Sequence, residues 1–294
     1  MIDMYCKCGE LEEARKIFDS MGTRSVVSYN AIIQGCGSNG QAELALEYYS
    51  ALRACTTIQP NDRTHVAVIS ACSRLATESS EKRERALRIG MEIHSMLSKE
   101  KKQLDLFVAT CLVDMYCKCG ELEEARKIFH SMGTRSVVSY NAIIHGCGSN
   151  GRAELALEYY SALRADNTIQ PDDWTHVAVI SACSTLATAS EKRERALRIG
   201  MEVHSVLSKE KKHLGLFVAN CLVDMYCKCG ELEEARKIFH SMGTRSVVSY
   251  TAIIQGCNTN GRAQLALEYY SALRACTTIQ PNDRTHVAVI SACS

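Results

Sequence analysis

The block Asp114–Met115–Tyr116–Cys117–Lys118–Cys119–Gly120–Glu121–Leu122–Glu123–Glu124–Ala125–Arg126–Lys127–Ile128–Phe129 occurs three times, with close copies at Asp3–Phe18 and Asp224–Phe239. The copies start 111 and then 110 residues apart. A near-identical block returning at a fixed interval means one structural unit stacked on copies of itself. This interval exceeds the period of common helical repeats, so it contains several smaller units.

Within the block, Leu122, Ala125, Ile128, Phe129 and Met132 recur at spacings of three and four, the one-sided stripe of an amphipathic helix. Glu121, Glu123 and Glu124 fill its first turn and Arg126 and Lys127 follow, an order that suits the helix dipole. Upstream, Cys111, Leu112, Met115 and Tyr116 predict a second, shorter helix. It ends at Cys119–Gly120, where glycine accepts left-handed backbone angles. The block is therefore a helical hairpin. One such pair cannot bury its apolar face alone, whereas stacked neighbours bury a continuous core.

Two other units lie between the blocks. In the first, Val27, Tyr29, Ile32, Ile33 and Cys36 suit one helix and Asn39–Gly40 a turn. Ala42, Leu44, Ala45, Leu46, Tyr48, Tyr49 and Leu52 suit the next helix, and Pro60 closes the unit. It occupies 26–61, 137–172 and 247–282, 36 residues each time. In the other, Val66, Val68, Ile69 and Cys72 predict a helix, Ala76–Thr77–Glu78–Ser79–Ser80 a polar loop, and about Glu81 to Leu97 a second helix. This unit covers 62–105 and 173–215, with a truncated copy at 283–294. Its loop is one residue shorter in the second copy, as a surface loop permits. The opening block completes the cycle at 106–136 and 216–246, with a partial copy at 1–25. The first helix of the chain lacks its front half and the last unit stops after one helix. The sequence therefore reads as a fragment, with any targeting peptide or C-terminal domain lying outside it.

Composition narrows the function. Lys+Arg number 34 against Asp+Glu 33, so there is no global basic signature of nucleic-acid binding, although a locally basic face is compatible. Only 3 prolines favour a mostly helical chain. No apolar run approaches the ~18 residues of a membrane-spanning helix, and no membrane partner is expected. The 16 cysteines follow the repeat in a chain without a signal peptide, which favours reduced thiols packed as small apolar residues over disulfides. Cys6–Lys7–Cys8 and its copies lack a second half-site, so neither zinc nor any other cofactor is expected. His65, His176 and His286 share one repeat position and His94 and His204 another, which suits packed or capping side chains rather than catalysts. The zinc-deaminase pattern of His-x-Glu with Pro-Cys-x-x-Cys is missing. So are a phosphate loop, a nucleophile elbow and a Rossmann glycine cluster, and no enzyme is expected.

Particular motifs go further. Val26–Val27–Ser28–Tyr29–Asn30–Ala31–Ile32–Ile33, followed by Asn39–Gly40 and Ala45–Leu46, resembles the P motif of the plant-type pentatricopeptide repeat (PPR) family. His65–Val66–Ala67–Val68–Ile69–Ser70–Ala71–Cys72–Ser73 resembles the start of an L motif. Leu112–Val113–Asp114–Met115–Tyr116 with Lys118–Cys119–Gly120 resembles an S motif. The resemblance to the P–L–S subclass covers essentially the whole chain, with the long L unit as its one departure. It implies an all-α fold, an α-solenoid whose helical hairpins wind into a right-handed superhelix. First helices would line a concave face that binds single-stranded RNA. It also implies a mitochondrial or plastid location and work in RNA editing, splicing, stability or translation, with an RNA-processing or editing enzyme acting in trans. Recognition in such arrays is modular, one base per repeat.

By the same resemblance, two residues per unit choose the base: the residue after the Tyr-like position and the last residue of the unit. The P units present Asn30 with Asn61, Asn141 with Asp172, and Thr251 with Asn282. The implied preferences are a pyrimidine leaning to C, then U, then A. The S units present Thr110 with Ser136, implying a purine, and Asn220 with Ser246, implying a pyrimidine leaning to C. Val66 and Val177 hold the selecting position in the L units and would pack on the base. Val27, Val138 and Val248 would wedge between neighbouring bases; the alternative is that they are ordinary core valines.

Lys82, Arg83, Arg85 and Arg88 open the second L helix, with copies Lys192, Arg193, Arg195 and Arg198; Lys99, Lys101 and Lys102 and copies Lys209, Lys211 and Lys212 follow. They suit phosphate contacts or a solvated outer face, and the second reading is favoured by the expected pairs Glu81–Arg85 and Glu84–Arg88. The competing reading of the whole array is a helical-repeat scaffold for protein partners. The 36/44/31 alternation, and the variation of the paired polar residues between otherwise near-identical copies, weigh against it.

Overall fold

The structure is a computed structural model that describes residues 1–100, 103–210 and 214–293. Its helices are α1 (Ile2–Lys7), α2 (Leu11–Ser20), α3 (Val26–Ser38), α4 (Ala42–Ala54), α5 (Asp62–Leu75), α6 (Ser80–Glu100), α7 (Leu106–Cys119), α8 (Leu122–Ser131) and α9 (Val137–Ser149). They continue as α10 (Ala153–Ala165), α11 (Asp173–Leu186), α12 (Arg193–Glu210), α13 (Leu216–Cys229), α14 (Leu232–Ser241), α15 (Val247–Thr259), α16 (Ala263–Ala275) and α17 (Asp283–Cys293), with a 3-10 turn at Ser190–Lys192. No strand occurs among the described residues, and the chain is all-α. It divides into two compact units, Met1–Gly146 and Cys147–Ser294, with the boundary inside α9.

The packing rule is the same in both units. Each odd-numbered helix packs on the next odd-numbered one: α1 on α3, α3 on α5 and α5 on α7 in the first unit, α11 on α13, α13 on α15 and α15 on α17 in the second. The even-numbered helices α2, α4, α6, α12, α14 and α16 pack on their hairpin partner and on the odd helix that follows. Odd helices thus have neighbours on both flanks, and Ile32, Ile33, Val68, Ile69, Leu112 and Val113 are fully buried. Even helices have an outward face, and the one-sided stripe of α8 (Leu122, Ala125, Ile128, Phe129 buried) follows from that.

This difference overturns one expectation. The first helix of the repeated block is longer than its partner, 14 residues in α7 against 10 in α8. Val108, Ala109, Leu112, Val113, Met115, Tyr116 and Cys117 are all buried, so the helix is apolar around most of its circumference and shows no stripe that would reveal its length. Its start is set by Asp105, whose carboxylate accepts the Phe107 N–H at 2.9 Å. Its end is Gly120, at φ +89° in the left-handed region, with the Glu121 N–H returning to the Tyr116 carbonyl at 2.9 Å. The residue missing from the second polar loop is absorbed locally: the 3-10 turn precedes an α12 of 18 residues, where α6 has 21.

Close helix contacts need small residues. A Cβ on Gly256 of α15 would collide with Sγ and Cβ of Cys227 on α13, so glycine here lets two odd helices approach. The next turn fixes that approach: the Asn260 amide donates to the Cys227 carbonyl at 2.9 Å and to the Gly256 carbonyl at 2.8 Å. Asn39 repeats this in the first unit, donating to the Cys6 and Gly35 carbonyls at 2.9 and 2.8 Å. Arginine closes the hairpins of the repeated block. The Arg245 guanidinium lies 4.9 Å above the Phe239 ring while its Nε donates to the Phe239 carbonyl at 2.9 Å, satisfying the end of α14. Of the sixteen cysteines, those described are free, and Cys6, Cys36, Cys72, Cys117, Cys119, Cys147, Cys183, Cys227, Cys229 and Cys257 are buried.

Candidate nucleic-acid interface

The last residue of each unit is the N-cap of the next odd helix. The Asn61 side chain accepts the Thr64 N–H at 3.1 Å, and the Thr64 hydroxyl receives the Asn61 N–H at 3.0 Å, a reciprocal capping box. Asp172 with Thr175 and Ser246 with Ser249 repeat the arrangement. At Ser136 the hydroxyl accepts the Ser139 N–H at 3.3 Å, and at Asn282 the amide oxygen accepts the Thr285 N–H at 3.0 Å. A helix N-terminus requires a short side-chain acceptor, and Ser, Asn and Asp supply it about equally. Folding therefore favours that set at these positions and leaves the choice within it open; Gly215, which caps α13 without a side chain, is the exception.

The fifth residue of each odd helix lies one turn further along. Asn30 Nδ2 donates to Asn61 Oδ1 at 3.1 Å, and Thr64 Oγ1 donates to Asn30 Oδ1 at 2.6 Å. Two residues thirty-one positions apart, on successive hairpins, thus meet in one network. The second N–H of Asn30 and both of Asn61 remain available to a ligand, a donor-rich junction. Thr251 reaches Asn282 through Thr285: the Thr251 and Thr285 hydroxyls are 2.8 Å apart, and Thr285 Oγ1 donates to Asn282 Oδ1 at 2.9 Å. Thr251 Oγ1 also lies 2.8 Å from the Val247 carbonyl of its own helix. The residues at this position in the repeated block lack the link to a cap. Thr110 Oγ1 donates back to the Leu106 carbonyl at 2.7 Å, half-buried, while Asn220 is buried with its amide oxygen unpartnered. Neither is joined to its cap, Ser136 or Ser246, by a hydrogen bond. Asn141 is half-buried on α9 in the first unit, and Asp172 caps α11 in the second. Val66 is half-buried and Val177 buried.

The second residue of each odd helix after α1 is exposed. Val27, Val138 and Val248 are 71, 60 and 56% exposed, so they are not core valines. The same register carries Phe107, Trp174 and Phe217, with Arg63 and Arg284 in the remaining copies. Sequence reasoning missed these three aromatic side chains. Counting from each cap, rather than from the motif of one unit, would have found them.

The basic runs sit elsewhere. Lys82 and Arg85 at the head of α6 reach Glu43 of α4 at 3.4 and 3.8 Å, and Lys192 of the 3-10 turn and Arg195 of α12 reach Glu154 of α10 at 3.4 and 3.7 Å. The expected pairs Glu81–Arg85 and Glu84–Arg88 do not form; Arg85 bridges to the preceding even helix instead, because Glu43 stands opposite it. Arg83, Arg88, Arg193 and Arg198 are exposed, as are Lys99 and Lys209, while Lys101, Lys102, Lys211 and Lys212 lie outside the described residues. On the odd helices, the Asp114 carboxylate accepts from Ser73 and from Lys118, each at 2.7 Å, so that cation is already paired. The thiols of the Cys-x-Cys pair diverge: Cys117 packs at Gly146, while Cys119 Sγ lies 3.6 Å from Met115 Sδ. His65 and His176 are buried; His94 and His204 contact the Tyr116 and Tyr226 hydroxyls at 3.0 and 2.9 Å, and burial lowers their pKa.

Stacked helical hairpins, each presenting a cap, a fifth residue and an exposed second residue, define a modular repeat array. The sequence model of the family described as PPR repeat matches residues 1–26, 27–55, 107–137, 138–167, 217–247 and 248–276, and the chain belongs to the pentatricopeptide repeat family. The match leaves 56–106 and 168–216, the longer hairpins, uncovered. The chain is 35% identical over 294 residues to the Arabidopsis thaliana pentatricopeptide repeat-containing protein At1g11290, chloroplastic, covering 100% of this chain and 34% of that protein. It is 30% identical over 323 residues to At2g22410, mitochondrial, from the same organism, covering 99% of this chain and 44% of that one. The chain thus spans between a third and a half of the length of these relatives. Among solved structures it is similar to PPR10 in complex with an 18-nt psaJ RNA element, at TM-score 0.46 and 19% identity over 99% of this chain and 51% of that one. It is also similar to the Arabidopsis thaliana nuclear proteinaceous RNase P 2, at TM-score 0.48 and 15% identity over 70% of this chain and 44% of that one.

Proposed function

We propose that this chain is a sequence-reading, single-stranded RNA-binding array of the P–L–S type that serves RNA processing in a plastid or mitochondrion. The location rests on the chloroplastic and mitochondrial names of its relatives. The units are P at 26–61, 137–172 and 247–282, L at 62–105 and 173–215, and S at 106–136 and 216–246. Partial units lie at 1–25 and 283–294. The array acts by binding, and any chemistry on the RNA falls to an enzyme recruited in trans.

The observation that carries the reading is the junction of Asn30 with Asn61 beside exposed Val27. Two short amides from successive hairpins are held together, with unused donors, next to an apolar side chain that can support a base. Cytosine offers O2 and N3 as acceptors to such a donor-rich site. Asn61, Ser136, Asp172, Ser246 and Asn282 supply the cap half of each reader, and Asn30, Thr110, Asn141, Asn220 and Thr251 the helix half. Val27, Val138 and Val248 support bases, and Val66 and Val177 pack without choosing. The test is selection from a randomised pool of short single-stranded RNAs at fixed salt, comparing the native chain with Asn141→Thr. The expected result is one position whose preference moves from U toward G. A folded chain that binds no RNA at low salt refutes the proposal and leaves the protein-scaffold reading.

A further inference from the structure

The third residue of the odd helices follows the unit type. It is Thr64, Thr175 and Thr285 in the longer hairpins, Ser28, Ser139 and Ser249 in the 36-residue hairpins, and Val108 and Val218 in the repeated block. All of these side chains are buried. Threonine and serine complete the same capping box. The Asn61 N–H donates to Thr64 Oγ1 at 3.0 Å, and the Ser25 and Ser136 N–H groups donate to Ser28 and Ser139 Oγ at 2.9 and 3.0 Å. The two residue types differ in where the hydroxyl proton goes. Ser28 and Ser139 return it to the Ser25 and Ser136 carbonyls at 2.8 and 2.9 Å. Thr64 sends it across to the preceding odd helix, to Asn30 Oδ1 at 2.6 Å, and Thr285 makes the corresponding contact with the Thr251 hydroxyl at 2.8 Å.

This link fixes which way the Asn30 amide faces. The Thr64 N–H holds Asn61 Oδ1 at 3.1 Å, and the same oxygen accepts Asn30 Nδ2 at 3.1 Å. Asn30 Oδ1 then falls to the Thr64 hydroxyl. A flipped Asn30 amide would set two oxygens against each other, so the remaining N–H groups of Asn30 and Asn61 are the ones left for a ligand. Asn220, at the same position of α13, lacks the link. Its amide oxygen is buried without a hydrogen-bond partner, while Ser249 Oγ lies 3.3 Å from the Ser246 hydroxyl. A buried acceptor left unpaired is unfavourable.

We infer that Thr64 and Thr285 are positioning residues of the proposed base readers. Their buried hydroxyls set the orientation of the fifth residue on the preceding odd helix, so a junction closed by threonine chooses its base sharply and one closed by serine chooses loosely. The inference rests on the RNA-binding reading above and deepens it by naming a residue, outside the two that face the base, on which the choice depends. The branched side chain of threonine holds its hydroxyl in few rotamers, whereas serine is free to turn its proton back to the cap. Capping alone does not distinguish the two, because both accept the cap N–H equally well.

The test is selection from a randomised pool of short single-stranded RNAs at fixed salt, run on the intact chain and two variants beside denaturant unfolding curves. Thr64→Ser installs a residue that completes the box at Ser28 and Ser139, so its unfolding midpoint should stay native. The preference between bases at one nucleotide should fall roughly 2- to 10-fold, the worth of one hydrogen bond, with the other nucleotides unchanged. That nucleotide should lie three steps from the one moved by Asn141→Thr, because α3 and α9 are three hairpins apart. Ser249→Thr offers Asn220 Oδ1 its missing donor, and should sharpen the choice at a different nucleotide by a similar factor and raise the unfolding midpoint. A folded Thr64→Ser chain with native preference at every nucleotide overturns the positioning role while RNA binding stands. So does a uniform loss of affinity without a change in preference, or a Ser249→Thr chain whose choice is no sharper. A chain that binds no RNA overturns both.

Discussion

At the scale of single residues, one position carries two duties. Ser246 both caps α15 and supplies half of a proposed reader. Ser246→Ala removes the acceptor for the Ser249 N–H and is expected to cost about 1 kcal/mol in denaturant unfolding. Ser246→Asn keeps a cap, so its stability should stay within a few tenths of a kcal/mol of native while base preference at that step shifts. Selection from an RNA pool beside an unfolding curve separates the two duties. The thiols sort by surroundings as sharply. Burial pushes Cys36, Cys72 and Cys183 up to about 12, whereas hydrogen bonds from Thr57 and Thr278 lower half-buried Cys55 and Cys276. Alkylation at pH 8, read by peptide mass mapping, should modify Cys55, Cys276 and exposed Cys8 first, and the buried thiols only after unfolding.

At the scale of helices, close approach decides what is tolerated. Gly256→Ala drives a methyl group into Cys227 and should cost about 1–3 kcal/mol, as overpacking does. Cys227→Ala should relieve part of that cost, so unfolding free energies around the double-mutant cycle should be non-additive. The same packing explains what could be read in advance. The stripe of α8 is visible because an even helix has one wet face, and Gly120 marks its turn plainly. The length of α7 is hidden because both its flanks are dry, and periodicity carries no signal there. Val27 was ambiguous for the same reason: on a helix apolar on most sides, only the positions of the neighbouring hairpins decide which valine faces water. The Trp174–Phe217 pair, 43 residues apart in sequence, depends on the register between α11 and α13, which no local pattern encodes.

For the whole molecule, pH sets a stability plateau. The buried thiols Cys36, Cys72, Cys183 and Cys227 ionise near 12 when folded and at an ordinary 9.0 when unfolded. Tyr116 and Tyr226 rise likewise from 10.0 to about 12. Folding holds these groups neutral, so their contribution is complete below pH 9 and is lost as pH climbs toward 12. On the acid side, burial lowers His94 and His204 below an ordinary 6.5; their contribution is complete above that value and lost as pH falls through it. Thermal unfolding midpoints should therefore be level between about pH 6.5 and 9 and decline on both sides. His94→Phe with His204→Phe should flatten the acid limb alone.

The capping residues lead to one more consequence. Asn61 follows α4 in the chain yet caps α5, and its partner Asn30 sits on α3, so the proposed reader lies at the seam between hairpins and belongs to neither. An array of n hairpins then has n − 1 complete readers. Cutting the chain at a hairpin boundary, or joining it there to a different neighbour, breaks or rewrites a letter even when every hairpin is kept whole. Exchange by recombination anywhere between the two halves, the middle of a hairpin included, would re-pair them, whereas exchange between a cap and the fifth residue of its helix would move each pair intact.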